Sequence, residues 1–440
     1  MRRAVWHIML AGGVLLTGLA TATAADKISL RAPVQLNDQW RVTMQMQLTG
    51  TLQVRNGEQT VNLTLAAQAQ HQLTERVMRV NVEAQPTGLA RFYEQADAKI
   101  DMQGINSQRR LRPDRRLIMA YQHGDSTVTY APAGALAREE LELVGEHFNL
   151  LAVHGILPAQ DVAVGETWEI PLPAAQGLTN LDGVTQKQLL GKLESVNGDT
   201  ATISVTGTVE GIVRGCEAKE TVESKLTYSL TTKRLTGGTW KHKTERGPGP
   251  ATPGVTMEST TAVQWAPGTS PELADEKVAT IPQTPGPEQL LLFYRDPKGR
   301  FTFHHGRHWL VVAQNEKIAV LRWLELGELK AQLNIHPWTP PVAGQRITAE
   351  EVRQFMNNVP GLKADKVLFN GEVAAAQGLW VYRYTVQGSV QEVPVIQSCY
   401  AVAGPNNEQV LFMFTIETDH AKELEGLDQG IVNTIRFGGP

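Results

Sequence analysis

The sequence predicts an α+β protein made of two unlike domains. Before residue 266, long segments alternate apolar and polar residues with period two, which is typical of antiparallel strands with one buried face. After residue 289, strand patterns are mixed with amphipathic helical patterns. Residues 266–289 carry five prolines and several charges, as a semi-rigid linker does. We therefore predict a β-rich domain at 25–265 and a second domain at 290–440.

Residues 1–24 have the features of a secretory signal peptide. A basic start precedes an apolar stretch from Ile8 to Leu19, and Ala22-Thr23-Ala24 forms a small-residue cleavage site. An uncleaved anchor is the alternative, but glycines and threonines interrupt the stretch, and a spanning helix needs about 20 firmly apolar residues. No cysteine follows the apolar core, and no later segment is long and apolar enough to cross a bilayer. We expect an exported protein, periplasmic or extracellular, without a lipid anchor.

The N-terminal domain is predicted to be a curved antiparallel sheet that cups one helix. Asn-Gly turns at 55–59 and 196–200 are typical of hairpins. The helix is expected at 135–155, where Leu143 and Leu151 share an apolar face and acidic residues crowd the first turns. The main alternating segments are 39–54, 60–73, 77–85, 200–213 and 224–240.

The C-terminal domain begins with a hairpin at 301–314 and continues as a sheet with two helices. Thr348 and Glu351 form a capping box ahead of apolar residues at helical spacing. Three strands follow this helix. The last helix is expected to begin near Thr418 or Asp419, although its two glycines each cost about 1 kcal/mol relative to alanine.

This C-terminal pattern resembles the Mog1/PsbP-like family, which includes a secreted bacterial branch. The resemblance covers about 290–440 and is carried by an opening signature of glycine, two aromatic residues and tryptophan, here Gly299, Phe301, Phe303 and Trp309. The later stretches "SCY", "LFMFTIET" and "GIVNTIRF" also stand where such sequences place them. The resemblance implies a central antiparallel sheet with helices on both faces. The N-terminal region resembles bacterial secreted β-rich proteins.

One departure from the family concerns the opening turn. The turn usually carries a proline, and Gly306 stands near that place in this chain. We therefore expect the turn to be more mobile than in the family.

Charge and cysteine content narrow the possible partners. Without Arg2 and Arg3, 39 basic residues stand against 45 acidic ones, a net charge of 39 − 45 = −6, so nucleic acid is not a partner. Cys216 and Cys399 are the only cysteines. They fall in different predicted domains, so they either form a disulfide between the domains or remain two buried thiols.

The stretch "FTFHHGRHWLVV" raises the possibility of a metal site. Strand alternation places His304 and His305 on opposite faces, so they cannot bind one metal together. His304 and His308 can still meet across the turn, but a site needs a third ligand. The sequence has no nearby cysteine or histidine spacing that supplies one. We interpret the cluster as a solvated turn, with a site at His304 and His308 as the alternative.

Aromatic residues supply the candidate contacts. Trp338 and His336 belong to "HPWTPP", which is predicted to be a loop that exposes the tryptophan to a partner or ligand. Trp309, in the opening hairpin, is a further candidate. The alternative is that the tryptophans belong to a sheet core.

No catalytic motif, cofactor motif or phosphate-binding loop stands out in the sequence. Our leading hypothesis is an exported, non-catalytic binding or accessory module for a protein partner. The second hypothesis is a periplasmic carrier of a lipid-like apolar molecule, which needs a lined cavity of a few hundred Å3 in the N-terminal sheet. The third is a hydrolase whose acid and base come from distant residues.

Overall fold

The computed structural model of the chain describes residues 26–56, 59–124, 126–145, 149–249, 252–282, 284–325, 327–339, 344–375, 378–406 and 408–438. The predicted signal peptide, residues 1–24, lies outside them. No helix within these ranges is long and apolar enough to cross a membrane.

The first thirteen strands belong almost entirely to one large antiparallel sheet. They are β1 (Gln39–Asn56), β2 (Gln59–Val80), β3 (Pro86–Met102), β4 (Ile105–Arg110), β5 (Leu117–His123), β6 (Ser126–Tyr130), β7 (Leu136–Ala137), β8 (Thr167–Glu169), β9 (Gly183–Asn197), β10 (Thr200–Val213), β11 (Cys216–Ser229), β12 (Arg234–Arg246) and β13 (Gly254–Pro267). Twelve of them pair in the order β6-β5-β3-β2-β1-β13-β12-β11-β10-β9-β8, with β4 beside β3.

Strand β11 shows why these residues form a sheet with one dry face. Val222 and Leu226 are buried in the core, whereas Glu223 and Lys225 between them are exposed. Successive strand side chains point to opposite faces, so this period-two pattern requires one covered and one solvated surface. Burying each large apolar side chain contributes about 1.5–3 kcal/mol.

Two short helices and a 3-10 turn pack on the covered face. They are α1 (Arg138–Gly145), the turn at Ala152–Ile156 and α2 (Leu172–Thr179). The prediction of one helix at 135–155 is therefore wrong in extent. The Asn149 side chain accepts a hydrogen bond from the Leu151 backbone N–H at 3.1 Å, which favours a local turn over a continued helix. Residues 146–148 lie outside the described part.

The proline-rich segment predicted as a linker lies against the opposite face of the large sheet. It contains α3 (Asp275–Val278). Leu273 and Val278 are buried beside Tyr130. Arg76 donates a hydrogen bond to the Leu273 carbonyl oxygen at 2.7 Å. These contacts fasten the segment to β2 and to the edge of the sheet.

The rest of the chain forms two further sheets. Its elements are α4 (Pro287–Leu290), β14 (Leu292–Arg295), β15 (Phe301–His305), β16 (Trp309–Gln314), β17 (Ala319–Glu325), β18 (Glu328–Trp338), α5 (Ala349–Asn357), β19 (Leu362–Glu372), β20 (Trp380–Val390), β21 (Val393–Ala403), β22 (Gln409–Glu417), α6 (Leu427–Val432) and β23 (Arg436–Phe437). A seven-stranded sheet has the order β16-β17-β18-β22-β21-β20-β19, and a four-stranded sheet has the order β23-β15-β14-β7. Because β7 pairs in parallel with β14, the two halves of the chain share a sheet.

Both faces of the seven-stranded sheet are covered. On one face Phe412 packs against Phe303 of β15, with ring centroids 5.3 Å apart. On the other face Met413 belongs to a core that includes Met356 of α5. The capping box predicted for α5 forms, because Thr348 and Glu351 exchange side-chain and backbone hydrogen bonds.

The predicted α+β class is wrong, because 58% of the structure is strand and only 13% is helix. The hairpins are long, with 22 residues in β2, whereas α5 has nine. The predicted terminal helix is likewise short. A 3-10 turn occupies Thr418–His420, and α6 begins only after Gly426, whose φ of +80° is left-handed and ends any helix that precedes it.

Candidate functional site

The histidines of the "HHGRH" turn point to three different surroundings. The His304 ring lies 5.7 Å from the Phe293 ring, and burial lowers its pKa. His305 is buried against Phe303, and burial lowers its pKa to about 4. His308 stacks on Trp323 with ring centroids 5.4 Å apart. The described residues contain no group of three histidine, cysteine or carboxylate side chains placed to hold a metal.

The same turn carries Arg307, which sequence reasoning missed. Its Nε donates to the Leu290 carbonyl oxygen at 2.9 Å, and its Nη2 donates to the Thr129 carbonyl oxygen of β6 at 2.7 Å. Arg138 of α1 donates to the carbonyl oxygens of Arg307 and Trp309 at 2.5 and 3.0 Å. The turn therefore fastens the C-terminal hairpin to the N-terminal half. The sequence gives no signal for this contact, because the partners of Arg307 lie far away in the chain.

The predicted aromatic contacts are only partly accessible. Trp309 is 3% exposed and packs against Trp323, so it is a core residue and not a surface contact. The sequence predicts a loop at His336 and Trp338, but both residues lie in β18. Both are half-buried beside Phe355 of α5. The strand continues to Trp338 because each of these residues pairs with β22.

His336 lines an open groove of about 690 Å3 on the face of the seven-stranded sheet that carries α5. The groove begins where α5 ends. Its floor consists of side chains from three neighbouring strands, namely Gln332, Asn334 and His336 of β18, Met413 and Thr415 of β22, and Val395 and Gln397 of β21. Apolar residues border this floor, among them Phe355, Val359 and Val393.

Amide and hydroxyl groups give the groove floor its polarity. The Gln332 side-chain amide donates to the Asn334 side-chain oxygen at 3.0 Å. The Gln397 side-chain amide donates to Thr415 Oγ1 at 3.1 Å, and the Gln397 Oε1 atom is buried and accepts no hydrogen bond from the described residues. Burial lowers the pKa of His336, which favours its neutral form. The floor is thus uncharged and holds an unused hydrogen-bond acceptor.

Lys330 and Glu417 are the fully charged residues of the groove lining. Lys330 is engaged by Glu423 at 2.8 Å and by Glu325 at 2.9 Å. Hydrogen bonds to these two carboxylates raise the pKa of Lys330. The groove therefore has no concentration of one charge sign that would select a strongly charged ligand.

A second polar group lies on the covered face of the large sheet. Glu75 of β2 accepts hydrogen bonds from Arg91 Nε at 2.7 Å and from Trp40 Nε1 at 2.8 Å, across three neighbouring strands. Glu75 is 1% exposed and Arg91 is 4% exposed. A fully buried ion pair of this kind is stable only when its hydrogen bonds are satisfied.

Glu220 of β11 is the one group here with the character of a catalytic acid. Burial raises its pKa to about 8, although the hydrogen bond from Thr244 opposes that shift. His242 Nδ1 lies 3.8 Å from Glu220 Oε2. Neither Glu220 nor His242 lines the groove.

The two cysteines lie in different sheets. Cys216 begins β11 of the large sheet, and Cys399 lies in β21. Both are buried and free, and burial raises the pKa of the Cys399 thiol to about 12. A protonated, buried thiol is a poor nucleophile.

Comparison with known proteins gives weak structural similarities. No protein family model matches the chain, and no curated protein sequence matches it. Cyanobacterial PsbP from Synechocystis sp. PCC 6803 is 17% identical over 35% of this chain and 97% of its own, with a TM-score of 0.28.

Two other solved structures are similar over a larger share of the chain. Lipovitellin is 8% identical over 54% of this chain and 26% of its own, with a TM-score of 0.30. The type VI secretion immunity protein TplEi of Pseudomonas aeruginosa is 12% identical over 57% of this chain and 94% of its own, with a TM-score of 0.20. All three scores are below 0.5, so these similarities establish neither a shared fold nor a function.

Proposed function

We propose that the chain is an exported, non-catalytic binding protein whose groove on the seven-stranded sheet holds an extended segment of a protein partner. The observation that carries this proposal is the uncharged amide floor formed by Gln332, Asn334 and Gln397, in which the Gln397 Oε1 atom accepts no hydrogen bond from the described residues. A backbone N–H is the donor that every extended peptide presents at regular spacing.

The composition of the groove supports a peptide over other occupants. Amide side chains both donate and accept, so Gln332 and Asn334 can pair with either group of a peptide backbone. Phe355, Val359 and Val393 offer apolar contacts for alternate side chains of the same segment. A volume of about 690 Å3 holds a few residues of such a chain.

Two further parts of the proposal rest on the sequence. Export to the periplasm or the extracellular space is supported by the basic start, apolar core and small-residue cleavage site of residues 1–24. Membership of residues 290–440 in the Mog1/PsbP-like family is supported by the opening signature. Its Phe301 and Phe303 pack into the core beside Phe412.

The carrier of an apolar molecule remains the alternative proposal. Its support is the large antiparallel sheet itself, but the covered face of that sheet is filled by its own side chains and those of α1 and α2. The hydrolase is the second alternative, and its support is limited to Glu220 and His242.

Selection of peptides from a displayed random library on the purified chain tests the leading proposal. Binding of a selected peptide is then measured by fluorescence anisotropy for the unchanged chain, for Val393→Glu and for Val367→Glu. Both valines are exposed, at 43% and 49%, but Val393 lines the groove and Val367 lies on edge strand β19. We expect Val393→Glu to weaken binding at least about tenfold, because it introduces an unpaired charge at an apolar contact.

The matched control, Val367→Glu, should leave the peptide affinity unchanged. Equal affinity in all three proteins, or no peptide selected at all, would contradict the proposed groove. Native mass spectrometry before and after organic extraction distinguishes the carrier from the peptide-binding protein, because a carrier would lose a lipid-sized mass on extraction.

A further inference from the structure

We propose that the junction between the N-terminal sheet and the "HHGRH" turn contains a binding site for a small anionic ligand that bears a carboxylate or a phosphate group. The site is a cavity of about 300 Å3, separate from the groove. Two guanidinium groups, those of Arg91 and Arg307, line it, together with Ser126, Thr127 and Gln176.

Arg91 contributes a buried cation to the cavity wall. Its Nε atom donates to Glu75, and Tyr93 also contributes a side-chain hydrogen bond to the guanidinium. The residue is 4% exposed, so its charge is held within the sheet and not by bulk water.

Arg307 contributes a positive charge that no carboxylate balances. Its hydrogen bonds go to the carbonyl oxygens of Leu290 and Thr129, and it forms no ion pair with the rest of the described chain. Burial and the nearby Arg138 guanidinium lower the pKa of Arg307 to about 10, which shows that its charge is unfavourable in this place. A bound anion would supply the missing countercharge.

The remaining lining residues fit an anion. The hydroxyl groups of Ser126 and Thr127 and the amide of Gln176 are donors. Asp182 is the one carboxylate in the lining, and it is exposed and accepts a hydrogen bond from the Arg214 backbone N–H at 2.5 Å. The charge of Arg91 is matched by Glu75, and Arg307 forms no ion pair with Asp182 or with any other carboxylate of the described residues.

Size limits the ligand. A cavity of about 300 Å3 is at the lower end for small-molecule sites, so the ligand is a small acid or a small phosphorylated molecule. The walls come from both halves of the chain, namely from β3, β6, α1 and α2 on one side and the Arg307 turn on the other. Binding would therefore also stabilise the junction between the halves.

Isothermal titration calorimetry of the purified chain with inorganic phosphate and with succinate, at constant ionic strength, tests this site. We expect saturable binding of one of these anions and a matching rise in melting temperature. Arg307→Gln should weaken that binding about tenfold or more, because it removes a charged donor. Arg295→Gln makes the same change in net charge at an exposed residue of the neighbouring β14 and should leave the affinity unchanged.

A second variant keeps the test valid if Arg307→Gln fails to fold. Gln176→Glu places a negative charge in the cavity wall, which should weaken anion binding at least about tenfold while the protein stays folded. Preference for phosphate over succinate, or the reverse, identifies the ligand group. No saturable binding of either anion, or equal binding by the unchanged chain, Arg307→Gln and Gln176→Glu, would overturn the proposal.

Discussion

The large N-terminal sheet and the seven-stranded C-terminal sheet bury their strands in different ways. Residues of β11 alternate between the core and the solvent, as Val222 and Glu223 do. Neighbouring residues of β22, such as Phe412 and Met413, are both buried, one on each face. The difference shows that alternation in sequence reports how many faces of a sheet are covered, and that its loss in β22 marks a sheet enclosed on both sides.

The two sheets also place their polar groups differently. The N-terminal sheet buries ionisable residues on its covered face, with Glu75 and Arg91 paired and with Glu220 Oε2 3.8 Å from His242 Nδ1. The C-terminal sheet keeps neutral amides, such as Gln397, at the groove, where one face is left partly open. The interior of the first sheet therefore holds buried ionisable groups, whereas the floor of the groove on the second sheet holds neutral hydrogen-bonding groups.

Alanine substitutions in β22 and β11 have the largest expected effects on stability. Results other than those below would contradict the difference in burial between the two sheets. Phe412→Ala should cost about 3–5 kcal/mol and Met413→Ala about 2–5 kcal/mol, because each empties a buried site on its own face. In β11, Val222→Ala should be destabilising, whereas Glu223→Ala should change stability by less than about 0.5 kcal/mol.

Urea denaturation followed by tryptophan fluorescence measures these differences. A stability of Met413→Ala equal to that of the unchanged chain would show that the α5 face is not a packed core. A large loss in Glu223→Ala would show that the outer face of the N-terminal sheet is covered.

The pH dependence of stability distinguishes the two buried acids of the N-terminal sheet, Glu220 and Glu75. The pKa of Glu220 is about 8 in the folded chain, against an ordinary value of 4.5. Between these pH values the folded chain holds one proton more than the unfolded chain, so stability falls as pH rises. Glu220→Gln should remove this loss, and its advantage over the unchanged chain should grow by about 1.4 kcal/mol per pH unit.

Thermal unfolding from pH 5 to pH 8 provides the measurement. Glu75→Gln is the matched control, because it makes the same change at a buried glutamate that is paired with Arg91. It weakens a buried ion pair and should destabilise the chain by about 3 kcal/mol or more. An advantage of Glu220→Gln that does not change with pH would exclude a protonated Glu220.

The smallest expected effect concerns the helix that covers the second face of the C-terminal sheet. Thr348→Ala removes the side chain that caps α5 and should cost about 1 kcal/mol. The hydroxyl-bearing variant Thr348→Ser should retain most of the stability. Urea denaturation compares the two, and equal losses in both would show that the hydroxyl is not the stabilising group.

The candidate sites were less predictable than the strands. The sequence predicts His336 as a contact residue, and it does line the groove. The reason was wrong, because the predicted loop with an exposed Trp338 is part of strand β18. The sequence does not predict the role of Arg307, which lies among histidines that suggest a metal site. Its partners, Thr129 and Leu290, are backbone carbonyl groups, and sequence patterns carry no signal for them.

The sequence alone determined those features that depend on interactions between residues close together in the chain. Period-two alternation identified β1 and β10 and parts of β2, β11 and β12, although segment 77–85 runs past the end of β2 and segment 224–240 spans the turn between β11 and β12. The side chains of Thr348 and Glu351 identified the start of α5. Both signals depend on residues close together in the chain. Only the tertiary structure decided the short extent of the helices, the fastening of the proline-rich segment to the sheet, and the placement of Arg91 and Arg307 around one cavity. Those features depend on contacts between residues far apart in sequence, whose energies no local pattern records.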